Sequence, residues 1–154
     1  MNASHGRYLI DDDPGRVDHA VVRDLLASMY WWPADLPLDT VRRAAAGSAL
    51  VVGAYLGVEQ VGYLRAVTDG VTFAWLCDVV VAPSHRGFGL GRAMVRFAVQ
   101  QPHLSGLKRW VLATRDAHGV YSAEGFAPLP APDRWMVRSG PAFRPGDDSE
   151  THNP

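Results

Sequence analysis

A short glycine-rich segment, Arg86-Gly87-Phe88-Gly89-Leu90-Gly91-Arg92, holds the residues whose types and spacing are best suited to chemistry. It follows an apolar run that ends in Val79, Val80 and Val81. It precedes apolar residues at helical spacing, so it predicts a strand, a loop and a helix start. The first N–H groups of a helix lack intrahelical acceptors and favour anions. Glycine lets the backbone approach a phosphate closely, and Arg86 can add a charge-assisted hydrogen bond. The segment predicts a phosphate site, the alternative being a plain glycine turn with a solvated arginine.

Two common phosphate-binding loops do not fit this segment. A P-loop requires Gly-Lys before Ser or Thr, and the sequence contains no Gly-Lys pair. A Rossmann loop requires Gly-x-Gly-x-x-Gly, but the last position is Arg92 when counted from Gly87 and Met94 when counted from Gly89. The preceding strand also belongs to a predicted meander rather than a βαβ unit. A dinucleotide-binding fold is therefore not expected.

Hydrophobic periodicity and turn residues predict the elements that position the loop. The predicted strands are residues 7–10, 49–56, 60–67, 72–81, 109–114 and 135–138, and the predicted helices are 17–29, 38–46, 91–101 and 119–124. Short Gly- and Asp-containing connectors join the second, third and fourth strands, which indicates an antiparallel meander. The sequence predicts an α+β fold with a mixed, mainly antiparallel central sheet flanked by helices.

The pattern Arg86-x-x-Gly89-x-Gly91 resembles the pyrophosphate loop of the GNAT acetyltransferase superfamily. The predicted order of elements resembles that fold as well. Further along the chain, a strand followed by Tyr121-x-x-x-Gly125-Phe126 is similar to the family's second cofactor segment. The resemblance covers about residues 7–138. It implies a GNAT-like acyl-CoA N-acyltransferase fold in which two adjacent strands splay apart.

The resemblance also implies a site for acetyl-CoA as co-substrate, without a metal. Loop N–H groups would hold the pyrophosphate, and the strand before the loop would pair with the pantetheine arm. Tyr121 would protonate the departing thiolate, although its ring could equally be ordinary core packing. Asp116 is expected to cap the helix that carries Tyr121. The residues assigned to acetyl-CoA are Val79, Val80, Val81, Arg86, Gly87, Phe88, Gly89, Leu90, Gly91, Arg92, Asp116 and Tyr121.

Asp78 is the second candidate catalytic residue, because it interrupts an apolar strand where an unpartnered carboxylate is costly to bury. The resemblance implies that it contacts the acceptor amine or acts as a base through water. The alternative is that it accepts backbone or arginine hydrogen bonds and organises a bulge. Several relatives carry a second acid where this chain has Cys77. A lone cysteine in an apolar strand is more typical of the core than of an acyl carrier. His118 has a suitable pKa for proton transfer but is more typical of a loop residue.

The aromatic run that contains Trp31 and Trp32 lies between the first two predicted helices. In the superfamily this region covers the acceptor site. The two tryptophans could form an apolar wall or hold a cationic amine by cation–π contact, with Asp78 beside them. The alternative is a hydrophobic contact that fixes the helix pair on the sheet.

Composition limits the remaining classes of function. The 154 residues carry a net charge of −1, which gives no sign of nucleic-acid binding, and no long apolar run or signal peptide is seen. A single cysteine is compatible with a cytoplasmic location. We expect one domain over residues 7–140, with flexible ends over 1–6 and 141–154. The resemblance favours an N-acetyltransferase for a small-molecule or protein amine, and it allows a homodimer. The alternative is a non-catalytic acyl-CoA sensor.

Overall fold

A six-stranded sheet organises the computed structural model, which describes residues 1–138 and residue 140. Its strands lie in the sequential order β1-β2-β3-β4-β5-β6. They are β1 Asn2–His5, β2 Tyr8–Asp11, β3 Leu50–Leu56, β4 Glu59–Thr68, β5 Ala74–Val81 and β6 Trp110–Val111. Neighbouring strands are antiparallel as far as β5, whereas β5 and β6 are parallel. The predicted α+β fold with a mixed, mainly antiparallel sheet is confirmed.

Helices cover both faces of this sheet and bury two hydrophobic clusters. They are α1 His19–Ala27, α2 Leu38–Ala46, α3 Leu90–Val99 and α4 His118–Ser122. The cluster under α3 includes Leu64, Met94 and Val95, and the cluster under α1 and α2 includes Val22, Val41 and Tyr63. Adjacent residues of β4, Tyr63 and Leu64, therefore face opposite layers, as the two-residue period of a strand requires. No helix within the described residues is long and apolar enough to cross a membrane.

The helix ends follow local sequence signals. The Asp18 carboxylate accepts hydrogen bonds from the N–H groups of Ala20 and Val21, which fixes the start of α1. Gly47 follows the last residue of α2, and its N–H donates to the carbonyl of Arg43. The bounds of α2 match the prediction, whereas α1 and α3 are shorter than their apolar patterns suggested.

The parallel contact between β5 and β6 is short. Within the described residues the two strands pair at Ala74 with Trp110 and at Trp75 with Val111. Beyond this point β5 continues to Val81, while residues 112–114 are not part of the sheet. The two strands therefore separate toward the loop that follows β5, as the resemblance implied.

Two predicted features at the ends of the domain differ from the structure. Residues 2–5 were expected to be a loose end, but they form β1 and pair with β2 over four positions. Residues 135–138 were expected to form a last strand, but they are irregular, and Met136 and Val137 are largely exposed. The expected flexible tail 141–154 lies outside the described residues, so the domain limits stay a prediction.

The fit of α3 on the sheet depends on Gly62. A side-chain Cβ at this position would lie 3.1 Å from both Ala54 Cβ and Met94 Sδ. Gly62→Val should therefore lower the free energy of unfolding by about 1–3 kcal/mol, because the core is already filled. Urea unfolding measures the change, and Gly106→Val is the matched control, since a Cβ there meets nothing within 4 Å. Equal stability of the two variants would contradict this packing.

Candidate active site

The glycine-rich loop has the backbone that a phosphate cradle at a helix start requires. Gly87 and Gly89 have φ values of 82° and 73°, a region that side chains other than glycine rarely adopt. Gly89 is the N-cap of α3, and no side chain caps this end within the described residues. The first α-helical hydrogen bond at this end runs from the Ala93 N–H to the Gly89 carbonyl. The N–H groups of Leu90, Gly91 and Arg92 precede that bond and are open to an anion.

Arg86 lies at the entrance of the loop, with its side chain directed back along β5. Its Nε donates to the carbonyl of Val81 at 3.0 Å, and one terminal nitrogen lies 3.9 Å from Met29 Sδ. Arg86 itself is exposed. The bond to Val81 holds a positive charge at the point where β5 ends.

Arg92 has a structural contact that the sequence did not indicate. Its Nε donates to Glu124 Oε1 at 2.6 Å, and Arg96 donates to the same carboxylate at 2.9 Å. Hydrogen bonds from Arg96 and then Arg92 lower the pKa of Glu124. This pairing ties α3 to the segment after α4, so the Arg92 side chain is already engaged and its backbone N–H is the open donor at this residue.

The edge of β5 and a bulge within it define the cleft beside the loop. Arg65 pairs with Cys77 and Tyr63 pairs with Val80, so three steps along β5 match two along β4. The extra residue is at Asp78, the non-glycine residue with positive φ (55°) in the described chain. It switches the faces of β5: Leu76, Val79 and Val81 contact the cluster under α3, whereas Val80 joins the cluster under α1 and α2.

Asp78 is the centre of a buried polar network at this bulge. Its Oδ1 accepts from Trp32 Nε1 at 2.9 Å, and its Oδ2 accepts from Arg65 Nε at 2.5 Å. The carboxylate side chain is 5% exposed and the Arg65 side chain 15%. A second Arg65 nitrogen lies 3.4 Å from Ser48 Oγ. The charge of Asp78 is thus compensated by an arginine 13 positions earlier, a residue that the sequence did not single out.

The aromatic segment between α1 and α2 reaches both sides of the cleft. On the β5 side Trp32 donates to Asp78. On the β6 side the guanidinium of Arg115 lies 3.8 Å from the centre of the Tyr30 ring. The ring of Trp31 packs edge-on against Tyr30 at 4.9 Å. The predicted substrate residues Trp31 and Trp32 therefore lie in a segment that spans the opening between the two strands.

Tyr121 lies on α4, where the charge of Tyr30 from this segment acts on it. Burial raises the pKa of its phenol to about 12, and the negative charge of Asp116 and then Tyr30 act in the same direction. Its ring packs edge-on against Phe126 at 6.0 Å. It also lines a cavity of about 370 Å³ between β6 and the segment after α4. At neutral pH the hydroxyl keeps its proton, so it can act as a donor.

One expectation near these residues is wrong and another is supported. Asp116 does not cap α4, because its side chain is 74% exposed near Arg115 and the N-cap is Ala117 without a side-chain bond. Thr114 takes that role in part, since its hydroxyl accepts from the Ala117 N–H at 3.1 Å. Burial raises the pKa of the Cys77 thiol to about 11, which leaves it protonated and favours the core interpretation.

Comparisons with known proteins agree with this geometry. The model described as "Acetyltransferase (GNAT) family" matches residues 11–126. A protein of Gibberella zeae with a provisional acetyltransferase name is 36% identical over 139 residues, covering 75% of this chain and 76% of that protein. A crystal structure from Xanthomonas campestris pv. campestris, described as a GNAT family member, has a TM-score of 0.81 at 36% identity and covers 90% of this chain and 96% of that one. A GNAT family acetyltransferase from Brucella melitensis, solved in complex with acetyl-CoA, has a TM-score of 0.59 at 21% identity over 80% of this chain and 84% of that one.

The network at Asp78 leads to a prediction about stability. Arg65→Leu should lower the free energy of unfolding by about 3–5 kcal/mol, because it leaves the Asp78 carboxylate buried without its compensating charge. Arg65→Leu combined with Asp78→Asn should recover most of the loss, since no charge is then buried and asparagine tolerates a positive φ.

Urea unfolding of both variants tests this prediction. Arg43→Leu is the control, because the Arg43–Asp39 pair is exposed and 4.0 Å apart, and such pairs contribute about 0–1 kcal/mol. A double variant as unstable as Arg65→Leu alone would contradict the ion-pair interpretation.

Proposed function

This chain belongs to the GNAT acetyltransferase family and is an acyltransferase, and we propose that it transfers an acetyl group from acetyl-CoA to a primary amine. The acceptor is a small molecule or a protein amine, and transfer is direct, within a ternary complex. One observation carries the proposal: the open first turn of α3 and the separated edge of β5 meet at the same loop.

The residues at this loop fit an acyl-CoA. The N–H groups at residues 87–92 would hold the pyrophosphate, and the Arg86 guanidinium at the end of β5 would add a charge-assisted contact. The backbone of Val79, Val80 and Val81 would pair with the amide groups of the pantetheine arm, in the manner of an added strand. The acetyl-CoA complex of the Brucella melitensis protein supports this choice of donor. When bound, acetyl-CoA supplies the reactive thioester.

Tyr121 is proposed as the general acid. The hydroxyl would give its proton to the departing thiolate as the C–S bond breaks and the N–C bond forms, and the proton that the amine loses would pass through water to restore the phenol. A phenol whose pKa is about 12 holds this proton throughout the neutral range. The ordinary pKa of a thiol is that of cysteine, about 8.5, which is lower than the pKa of the Tyr121 phenol. Tyr121 would therefore stabilise the nascent thiolate through a hydrogen bond as much as by complete proton transfer.

Asp78 is proposed to position the acceptor side of the cleft. Both carboxylate oxygens already accept hydrogen bonds, from Trp32 and Arg65, and the group is buried. These contacts favour a role in holding Trp32 against the opening over a role as a free base. Trp31 and Trp32 would then offer aromatic faces to the acceptor.

Donor binding is the first test. Arg86→Ala should weaken CoA binding in calorimetry about tenfold or more, because a charge-assisted hydrogen bond is lost. Gly89→Asp should weaken it further, since it adds a negative charge to the cradle and a Cβ 3.4 Å from the His5 ring. Arg42→Ala on the exposed face of α2 is the control for loss of one positive charge. Wild-type affinity in both loop variants would refute the assignment.

The second test is turnover with a panel of amines, measured by the release of free thiol. Tyr121→Phe should lower kcat by about 10²–10⁴-fold with little change in the KM for acetyl-CoA, as expected when an acid that acts in the transition state is lost. The wild-type rate should show no decline from phenol ionisation up to pH 9, because the pKa of Tyr121 is about 12. A Tyr121→Phe enzyme with full turnover would exclude the proposed acid.

A further inference from the structure

The N-terminal hairpin, β1 with β2, contacts the phosphate loop at two places. The ring of His5 on β1 lies 2.8 Å from the carbonyl oxygen of Phe88, measured from Nε2. The hydroxyl of Tyr8 on β2 lies 3.1 Å from Nδ1 of His85, just before the loop. The second contact is buried, and the two rings also pack edge-on at 5.7 Å. The hairpin therefore contacts both the turn that leads into the loop and the middle of the loop.

The bond from His5 fixes the orientation of one peptide group. A carbonyl oxygen only accepts, so the His5 ring donates its Nε2 proton to Phe88. The described chain has no cis peptide bond, and in a trans peptide the C=O and the following N–H point in opposite directions. When the Phe88 carbonyl is directed at His5, the Gly89 N–H is directed away from β1. This N–H immediately precedes the open N–H groups of the first turn of α3.

The space around Gly89 makes this arrangement specific. Gly89 has φ of 73°, and a Cβ at this position would lie 3.4 Å from His5 Nε2. The ring therefore lies directly behind the glycine backbone. Glycine at positive φ, as at Gly87 and Gly89, restricts the backbone little, so a contact from outside the loop favours one orientation of the Phe88–Gly89 peptide.

We propose that His5 is a positioning residue for the donor site: it holds the Phe88–Gly89 peptide so that the Gly89 N–H is preorganised to bind the pyrophosphate of an acyl-CoA. The inference rests on the proposed acyl-CoA site. His5 acts through the loop backbone and does not touch the ligand. Preorganisation raises affinity because the loop no longer loses conformational freedom on binding.

Calorimetric titration with CoA, on protein carrying any purification tag at the C-terminal end, tests the inference. His5→Ala should raise the Kd about threefold to tenfold, the range for one lost hydrogen bond. His5→Gln should restore most of the affinity, because the glutamine Nε2 can reach the same carbonyl as a donor. Ser4→Ala is the matched control on β1, since Ser4 pairs with Leu9 and is exposed; it should bind CoA like the wild type.

Amide NMR distinguishes loop orientation from a general loss of structure. In the absence of ligand, the Gly89 amide resonance should shift in His5→Ala while resonances in β3 and β4 stay unchanged. His5→Gln should return it toward the wild-type position. Equal CoA affinity of wild type and His5→Ala would overturn the role of His5 while leaving the donor site intact. A folded His5→Gln variant that binds as weakly as His5→Ala would also overturn it. If the wild type binds no CoA, the proposed donor site fails and this inference with it.

Discussion

The left-handed backbone at Asp78 is the constraint on which the site depends. One extra residue in β5 at this point reverses which side chains face each layer, so Leu76 and Val79 can both contact the cluster under α3. A residue other than glycine with φ of 55° carries backbone strain and keeps this conformation only where its surroundings hold it. Here the side chain is fixed at both oxygens, by Arg65 from β4 and by Trp32 from the segment after α1. The same carboxylate therefore stabilises the bulge and attaches the aromatic segment to the edge of the cleft.

The remaining parts of the site depend on contacts between distant positions in the chain. The loop is held from behind by the N-terminal hairpin through His5 and Tyr8. The helix that carries Tyr121 is held through Glu124, which accepts hydrogen bonds from two arginines of α3. Because α3 begins at the loop, these contacts connect the proposed phosphate cradle to the segment that follows the helix carrying Tyr121.

The sequence was sufficient to predict the glycine-rich loop and the elements next to it. It was insufficient to predict the long-range contacts that hold them in place. The loop, the meander and α2 follow from glycine spacing, turn residues and apolar periodicity, which are local signals. The Arg65–Asp78 pair joins residues on neighbouring strands, and no local pattern indicates which arginine lies opposite a bulge. β1 was missed because residues 2–5 form a polar edge strand whose first three residues are exposed, so they show no apolar alternation. Residues 135–138 have strand-like composition, yet Met136 and Val137 remain exposed, which shows that composition without a pairing partner does not produce a strand. Asp116 has a residue type that commonly caps helices, but the hydroxyl of Thr114 accepts the hydrogen bond from the Ala117 N–H instead.

The brief parallel contact between β5 and β6 also sets a length scale. The pairing ends at Trp75, and β5 then runs through six residues to Val81, where the loop begins. At about 3.3 Å per residue, this distance is about 20 Å. This length of β5 separates the proposed phosphate cradle at one end from the closed base of the cleft at the other. The bulge at Asp78 lies three residues from Val81, about 10 Å away. The proposed donor, anchored at the cradle, would therefore need a flexible arm of about that reach, with hydrogen-bonding groups along it, to bring its reactive end to the bulge. On the proposed function, the spacing that β5 sets would select a donor by the length of the molecule as well as by its charge.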